Sequence, residues 1–124
     1  MAFDFDAEVK KFYKATVSTM SLKDAYSGKS QTTNSGAGIY ALYCDGELKK
    51  IGKAVYDKGI FNRMSQYYRL APEGLSQISE TNRDKIEVKF FFLNSDECWI
   101  AERRLQVIAW DAGEQMPWEA KNRN

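Results

Sequence analysis

The 124-residue chain contains no histidine, and this absence removes several kinds of active site at once. Catalytic triads with a histidine base, zinc sites with histidine ligands and nucleases that use histidine are all excluded. Any catalysis must therefore use tyrosine, lysine, arginine, aspartate, glutamate or cysteine side chains.

Cysteine and long apolar runs are scarce as well. Cys44 and Cys98 form neither a CxxC pair nor a metal-binding spacing, so we predict two reduced residues that serve packing. No apolar run approaches the roughly 18 residues of a membrane span, and the acidic N-terminus lacks the layout of a signal peptide. We therefore expect an intracellular, cytoplasmic protein with no membrane partner.

The charge of the chain is unevenly distributed. The net charge is only +1, which gives no overall indication of nucleic-acid binding. Residues 49–69, however, carry six basic side chains against the single acid Asp57, a net charge of +5. Such a cluster is either a solvated surface or a phosphate-binding one. Its members are Lys49, Lys50, Lys53, Lys58, Arg63 and Arg69.

Hydrophobic periodicity predicts three helices and three strands. Helical spacing is found in residues 5–17, 59–70 and 95–110, the last with Ser95 as its N-cap, and strand patterns occur at 38–44, 47–53 and 85–93. Asp45-Gly46 supplies the positive φ angles of a type I′ turn between the first two strands. Residues 21–37 are polar and glycine-rich, and are predicted to be a mobile connection.

These elements predict one domain of the α+β class. We expect a small three-stranded, mainly antiparallel sheet flanked by helices. Residues 1–35 would form an N-terminal helix and connection, 36–110 the core, and 111–124 a C-terminal tail. Gly36-Ala37-Gly38 precedes a strand instead of following one, so it does not match a dinucleotide-binding loop.

Several motifs together resemble the GIY-YIG nuclease superfamily. Gly38-Ile39-Tyr40 reproduces the first motif, and Lys50-Ile51-Gly52 is similar to the second with lysine in place of tyrosine. IYALYCDGELKKIGKA and the later RMSQYYR are particularly similar to the branch of T-even phage endonuclease II. The resemblance covers residues 36–110, about three-fifths of the chain.

This resemblance implies a role for each candidate side chain in a metal-dependent DNA endonuclease of phage or mobile-element type. Tyr40 would act as general base, with Lys53 lowering its pKa, and Arg63 would contact the scissile phosphate. Tyr67 would assist orientation, and Glu102 would hold one Mg²⁺ or Mn²⁺ ion. Lys50 stands in the place of the second tyrosine, and Lys49, Lys58 and Arg69 would contact DNA. A phage enzyme would work in the host cytoplasm.

The residues themselves are compatible with these roles. Arg63 and Tyr67 are neighbours at i and i+4 on the border of an apolar stripe, so both can lean over a sheet edge. Glu102 lies at the margin of its helix's apolar face, where a carboxylate could hold a hard cation in a shallow cleft. Each also has a plainer interpretation as an ordinary strand residue, a solvated rim or a surface charge.

The chain departs from the family pattern in two places. A strict two-residue turn predicts that Tyr40 pairs with Ile51, which puts Lys49 on the face of Tyr40; a bulge would be needed to bring Lys50 there. The family's late asparagine has only Asn122 as a counterpart, because Glu119 follows Pro117-Trp118.

Two other functions compete with nuclease activity. The departures favour a catalytically lapsed domain that binds nucleic acid or a protein. A structural or inhibitory protein is the third hypothesis, with Trp110, Trp118 and a basic tail as its interface. A double-strand cut would be easier for a homo-oligomer, since each chain has one site.

Overall fold

The computed structural model describes residues 2–27, 36–55 and 59–119. Within these ranges the strands are β1 (Ser18–Ser21), β2 (Gly38–Cys44), β3 (Glu47–Ala54) and β4 (Ile86–Phe92). The α-helices are α1 (Phe5–Tyr13), α2 (Leu22–Tyr26), α3 (Ile60–Tyr68) and α4 (Ser95–Asp111), and a 3₁₀ turn spans Arg83–Lys85.

The four strands form one antiparallel sheet in the order β1-β4-β2-β3. The α+β class is as predicted, but the prediction of three strands is wrong because β1 was missed. β1 has four residues, Ser-Thr-Met-Ser, which is too short for a clear alternation of apolar and polar side chains. Pairing with β4 makes it a strand.

Part of the segment predicted as a mobile connection is also ordered. The side chain of Ser21 caps α2 by accepting a hydrogen bond from the Asp24 N–H at 3.0 Å. Leu22 and Ala25 then bury completely against the sheet. A five-residue helix has too few apolar positions for a period of 3.6 to be recognised, so tertiary packing decided this element.

Helices cover both faces of the sheet, and the core therefore has two halves. Alternate residues of the strands point to opposite faces. α2 and α3 pack on the face that carries Tyr40, Leu42 and Phe90. α1 and α4 pack on the face that carries Ile39, Ala41, Ile51 and Phe91. β2 and β4 lie in the middle of the sheet, whereas β3 is an edge strand.

The β2–β3 hairpin contains a β-bulge that changes the predicted register. Asp45 and Gly46 have φ angles of 54° and 81°, as the predicted type I′ turn requires. The register then shifts, because Tyr43 pairs with Leu48 and Leu42 with Lys50, so that Lys49 is the extra residue. Tyr40 consequently pairs with Gly52 instead of Ile51.

The helix ends also differ slightly from the predicted ones. α1 ends at Tyr13 instead of residue 17, because Lys14 adopts a left-handed conformation with φ 53° and donates its N–H to the Lys10 carbonyl. The N-cap of α4 is Asn94 and not Ser95.

Both cysteines are free and buried, as predicted. Burial raises the pKa of the Cys98 thiol to about 11, so this side chain is an unreactive thiol near neutral pH. No helix in the described part of the chain combines the length and the hydrophobicity that crossing a membrane requires.

The packing of α2 predicts a large effect on stability. Leu22→Ala should lower the free energy of unfolding by about 2–5 kcal/mol, because it leaves a cavity beside the sheet. Urea unfolding measures this effect, with the exposed neighbour Lys23→Ala as control, for which a change within about 0.5 kcal/mol is expected. Equal, small changes in both variants would mean that α2 does not pack as described.

Candidate functional site

Three predicted residues meet on the face of the sheet that α3 covers. The hydroxyl groups of Tyr40 in β2 and Tyr67 in α3 share a short hydrogen bond. Their rings lie edge to face with centroids 5.9 Å apart. The guanidinium carbon of Arg63 lies 5.0 Å from the centre of the Tyr67 ring. The i, i+4 spacing of Arg63 and Tyr67 therefore places both above Tyr40, although Tyr67 is a core residue and not part of a solvated rim.

Arg63 also fixes the chain that follows α3. Its Nη1 donates to Gln66 Oε1 at 2.8 Å and to the Glu73 carbonyl at 3.2 Å. The guanidinium is thus held by its own helix and by the loop beyond it. This arrangement limits the directions in which Arg63 can reach a ligand.

Burial raises the pKa of the Tyr40 hydroxyl well above its usual value, and Tyr67 adds to the rise. Arg63 acts in the opposite direction, because its positive charge favours the phenolate. The nearby cation that lowers the pKa of Tyr40 is therefore Arg63. Tyr40 is a neutral phenol at neutral pH and would need a further change in its surroundings to act as a base.

The close approach of Tyr40 explains why the motif Lys50-Ile51-Gly52 ends in glycine. Gly52 lies directly opposite Tyr40, and a Cβ atom at this position would lie 2.5 Å from the Tyr40 hydroxyl oxygen. The tyrosine side chain thus lies across the glycine backbone. The motif's glycine provides room for the Tyr40 side chain.

Lys53 and Glu102 form a second group on the opposite face of the sheet. Lys53 pairs with Ile39, so its side chain leaves β3 on the α4 side. Its Nζ lies 3.0 Å from Glu102 Oε1 and 3.8 Å from the centre of the exposed Trp99 ring. The structure therefore joins Lys53 to Glu102 and Trp99. It does not place Lys53 on the face where Tyr40 lies, as a direct effect on the pKa of Tyr40 would require.

A cavity of about 320 Å³ at the edge of the sheet is lined by one cation from each group, Arg63 and Lys53. Tyr40, Tyr67 and Glu102 are not among its lining residues. α3 supplies Arg63 from one face, and the end of β3 and α4 supply Lys53 and Trp99 from the other. Lys53 and Arg63 thus face the same space from opposite sides of β3. Asn62, Gln66 and Trp99 also line this cavity, and the sequence motifs did not indicate them.

Lys50 lies on the face of Tyr40, and a buried carboxylate holds it there. Because of the bulge, Lys50 pairs with Leu42. Its Nζ lies 3.1 Å from Glu119 Oε1, and only 7% of the Glu119 side chain is exposed. Lys50 is therefore part of an ion pair with the C-terminal tail.

Glu119 is a site residue that sequence reasoning missed. Its Oε2 accepts hydrogen bonds from the Ile51 N–H at 2.8 Å and from Gln106 Nε2 at 3.1 Å. The Trp118 N–H donates to the Lys49 carbonyl at 3.0 Å, so the tail pairs along the free edge of β3. The sequence offered one signal for this contact. Glu119 is an acidic residue directly after Pro117-Trp118, and β3 carries several lysines with which it could pair.

The predicted DNA-binding residues are only partly described. Lys49 is the bulge residue, and its Nζ lies 2.9 Å from Glu47. Arg69 lies at the exposed end of α3 and donates to Ser65 Oγ at 3.0 Å. Lys58 and Asn122, the predicted late amide, lie outside the described residues.

The described residues contain no group of three or more carboxylate or thiol side chains that could hold a metal ion. Glu102 lies beside the cavity and is held in place by Lys53. It could supply one ligand to a Mg²⁺ ion, which commonly binds one or two carboxylates and keeps several waters. The donor set thus fits the single-carboxylate site that the family resemblance implies.

Comparison with protein-family models, with curated protein sequences and with solved structures finds no match to this chain.

The buried Tyr40 hydroxyl predicts a particular loss of stability in alkali. Because the fold raises its pKa, the contribution of Tyr40 is fully present below the unfolded-state pKa of about 10 and is lost as pH rises through the folded-state pKa. Urea unfolding between about pH 8 and pH 11 should show a smaller alkaline loss for Tyr40→Phe than for the wild type.

The free energy of unfolding at about pH 8 is the reference for the alkaline measurements. At about pH 8, well below the raised pKa of Tyr40, Tyr40→Phe should cost about 1–3 kcal/mol, because the buried Tyr67 hydroxyl loses its hydrogen-bond partner. Tyr43 and Tyr68, whose pKa values are also raised, are present in both proteins and cancel in the comparison. Parallel alkaline losses in the two proteins would contradict the assignment to Tyr40.

Proposed function

We propose that the protein is a metal-dependent endonuclease that hydrolyses phosphodiester bonds of DNA at the edge of β3. The observation that carries this proposal is the cavity where Arg63 and Lys53 meet from opposite faces of the sheet, with Glu102 ion-paired to Lys53. Two cations around one small cavity suit an anionic ligand such as a phosphate. The residues of the Tyr40 group and of the Lys53 group occur along the chain in the same order as the GIY-YIG motif residues.

Each side chain has a distinct task in this proposal. Arg63 contacts the non-bridging oxygens of the scissile phosphate through its planar guanidinium. Tyr40 must first release its hydroxyl proton to solvent, and Arg63 favours the phenolate that this leaves. The phenolate then takes the proton of the attacking water and returns to the phenol, while Tyr67 orients its oxygen. Because Tyr40 is buried, the substrate must reach it through the cavity or displace the α3 side of the site.

Glu102 is the side chain that would hold the divalent ion. A bound Mg²⁺ ion stabilises negative charge that develops on phosphate and leaving-group oxygens. Lys53 fixes the position of the Glu102 carboxylate through their ion pair. Lys49 and Arg69 contribute positive charge for contacts with the DNA backbone on either side of the cleaved bond. A basic edge strand in a chain of low net charge is consistent with such contacts.

Cleavage of supercoiled plasmid tests the proposal. With Mg²⁺ or Mn²⁺, the wild type should nick or linearise the plasmid, and chelator should stop the reaction. Glu102→Gln and Arg63→Ala should each lower the rate by at least about 100-fold, since each removes a group that stabilises transition-state charge. Gel separation over time gives the rates.

A matched control lies on the same helix. Glu97→Gln changes an exposed acid near the start of α4 and should leave the rate unchanged. Circular dichroism establishes that every variant is folded. The nuclease assignment would be wrong if the plasmid stays intact with folded wild type, or if an Arg63→Ala, Glu102→Gln double variant of equal purity cuts it equally well.

A second candidate function is supported by the charges of the site. Glu119 neutralises Lys50, Glu102 neutralises Lys53, and the pKa of Tyr40 is raised. A site whose cations are paired and whose tyrosine is protonated is suited to binding without hydrolysis. The chain would then be a catalytically lapsed domain that binds nucleic acid or a protein partner.

The salt dependence of DNA binding tests this second candidate. If about four phosphates are neutralised, the logarithm of affinity should fall against the logarithm of salt with a slope near −3.6 for duplex DNA. Filter binding or fluorescence anisotropy in the presence of chelator measures the slope. Saturable, salt-dependent binding without metal-dependent cleavage of plasmid supports the lapsed domain, whereas a flat salt dependence indicates a protein partner.

A further inference from the structure

A second cavity, of about 720 Å³, lies on the other side of Lys50 along the edge of β3. One wall is the loop that follows α3, and the other is the C-terminal tail. The motifs that indicate the phosphodiester site include Lys50 but none of the other residues around this cavity. Its principal lining residues are Lys50, Pro72, Leu75, Gln77, Ile78, Trp118 and Glu119.

Two connections join this cavity to the phosphodiester site. Lys50 and Lys53 are three residues apart on one strand, a separation of about 10 Å at a rise of about 3.3 Å per residue. Arg63, which lines the first cavity, donates a hydrogen bond to the Glu73 carbonyl, next to the Gly74 that lines the second. A chain of phosphates that passes Arg63 and Lys53 therefore continues towards Lys50.

The lining chemistry fits a planar heterocycle. Trp118 and Pro72 offer flat apolar surface, Leu75 and Ile78 close the apolar side, and Gln77 offers an amide that can both donate and accept hydrogen bonds. Lys50 lies at the rim, where its Nζ is ion-paired with Glu119 Oε1 at 3.1 Å. The lining is therefore mixed, with polar and apolar surface side by side, in a volume within the range of about 300–1,000 Å³ that small-molecule sites usually have.

The two walls are held by the main chain. The Trp118 N–H donates to the Lys49 carbonyl at 3.0 Å, and the Gly74 N–H donates to the Ala71 carbonyl at 2.9 Å. Leu70 and Met116, which precede the two wall segments, have φ angles of 60° and 44°, a conformation that non-glycine residues rarely adopt. The cavity is thus formed by defined turns at both sides.

We propose that this cavity holds an unpaired nucleobase of the strand whose phosphates lie along β3. This inference depends on the proposed function, because a nucleic acid at the β3 edge is what brings the base to the cavity. The base stacks on Trp118, and its edge meets Gln77. The preferred substrate is therefore a nucleic acid with an unpaired base next to the bound backbone, as in a single strand or a bulged duplex.

Binding measured in chelator tests this proposal without any cleavage. The probes are a short fluorescently labelled single strand, a duplex with one bulged 2-aminopurine, and the fully paired duplex of the same sequence. Trp118→Ala should weaken binding of the first two by about 5- to 150-fold, the effect of one lost base–aromatic stack. Binding of the paired duplex should change by less than about twofold, because phosphate contacts dominate it.

Two further variants separate stacking from a structural role of Trp118. Trp118→Phe keeps an aromatic ring and should restore most of the affinity for the bulged duplex. Trp110→Ala removes a tryptophan that packs against the other half of the core and should leave the preference for unpaired bases unchanged. The 2-aminopurine fluorescence should fall on binding to wild type and stay higher with Trp118→Ala.

The outcomes distinguish the cavity from the nuclease proposal. Equal affinity for paired and bulged duplexes, or equal weakening of both by Trp118→Ala, overturns the cavity assignment and leaves plasmid cleavage unaffected. Saturable, Trp118-dependent binding of a free nucleoside monophosphate as tight as that of the single strand shows a free-nucleotide site instead. Loss of cleavage in Glu102→Gln together with no preference for unpaired bases confirms the nuclease and rejects the base site.

Discussion

The extra residue in β3 decides which side chains share a face of the sheet. Side chains alternate along a strand, so a shift by one position moves every following residue to the other face. The bulge at Lys49 puts Lys50 on the face of Tyr40, puts Gly52 beneath the tyrosine ring, and sends Lys53 to the face of α4. Without the bulge, Lys50 and Lys53 would exchange faces, and Lys53 would leave the face of α4, where it contacts Glu102.

The free edge of β3 is the second organising feature. An unpaired edge exposes backbone donors and acceptors, and proteins protect such edges with charge or with a covering segment. Here the tail does both, since the Glu119 carboxylate accepts from the Ile51 N–H while the Trp118 N–H donates to the Lys49 carbonyl. The same tail forms a wall of the larger cavity, so protection of the edge and formation of a binding surface are linked.

The protonation state of Tyr40 depends on its burial beside Tyr67, which the motif does not predict. The motif and the i, i+4 spacing predicted Tyr40, Arg63 and Tyr67 as neighbours, and the structure places them together. Their burial depends on how α3 packs over β2, which no local pattern encodes. Desolvation then controls the pKa of Tyr40, and the cation that opposes it is Arg63 instead of the predicted Lys53.

Local patterns in the sequence determined the longer elements, the Asp45-Gly46 turn and the α+β class, because periodicity and turn chemistry act over a few neighbouring residues. The candidate site residues came from the resemblance to a family's motifs and not from periodicity. Only the tertiary structure decided β1, α2 and the role of Glu119. These features are short or far apart along the chain, and pairing with β4, burial under the sheet and the open edge of β3 stabilise them. The tertiary structure also decided the face on which each lysine of β3 lies, because one bulge reverses the alternation that the sequence suggests.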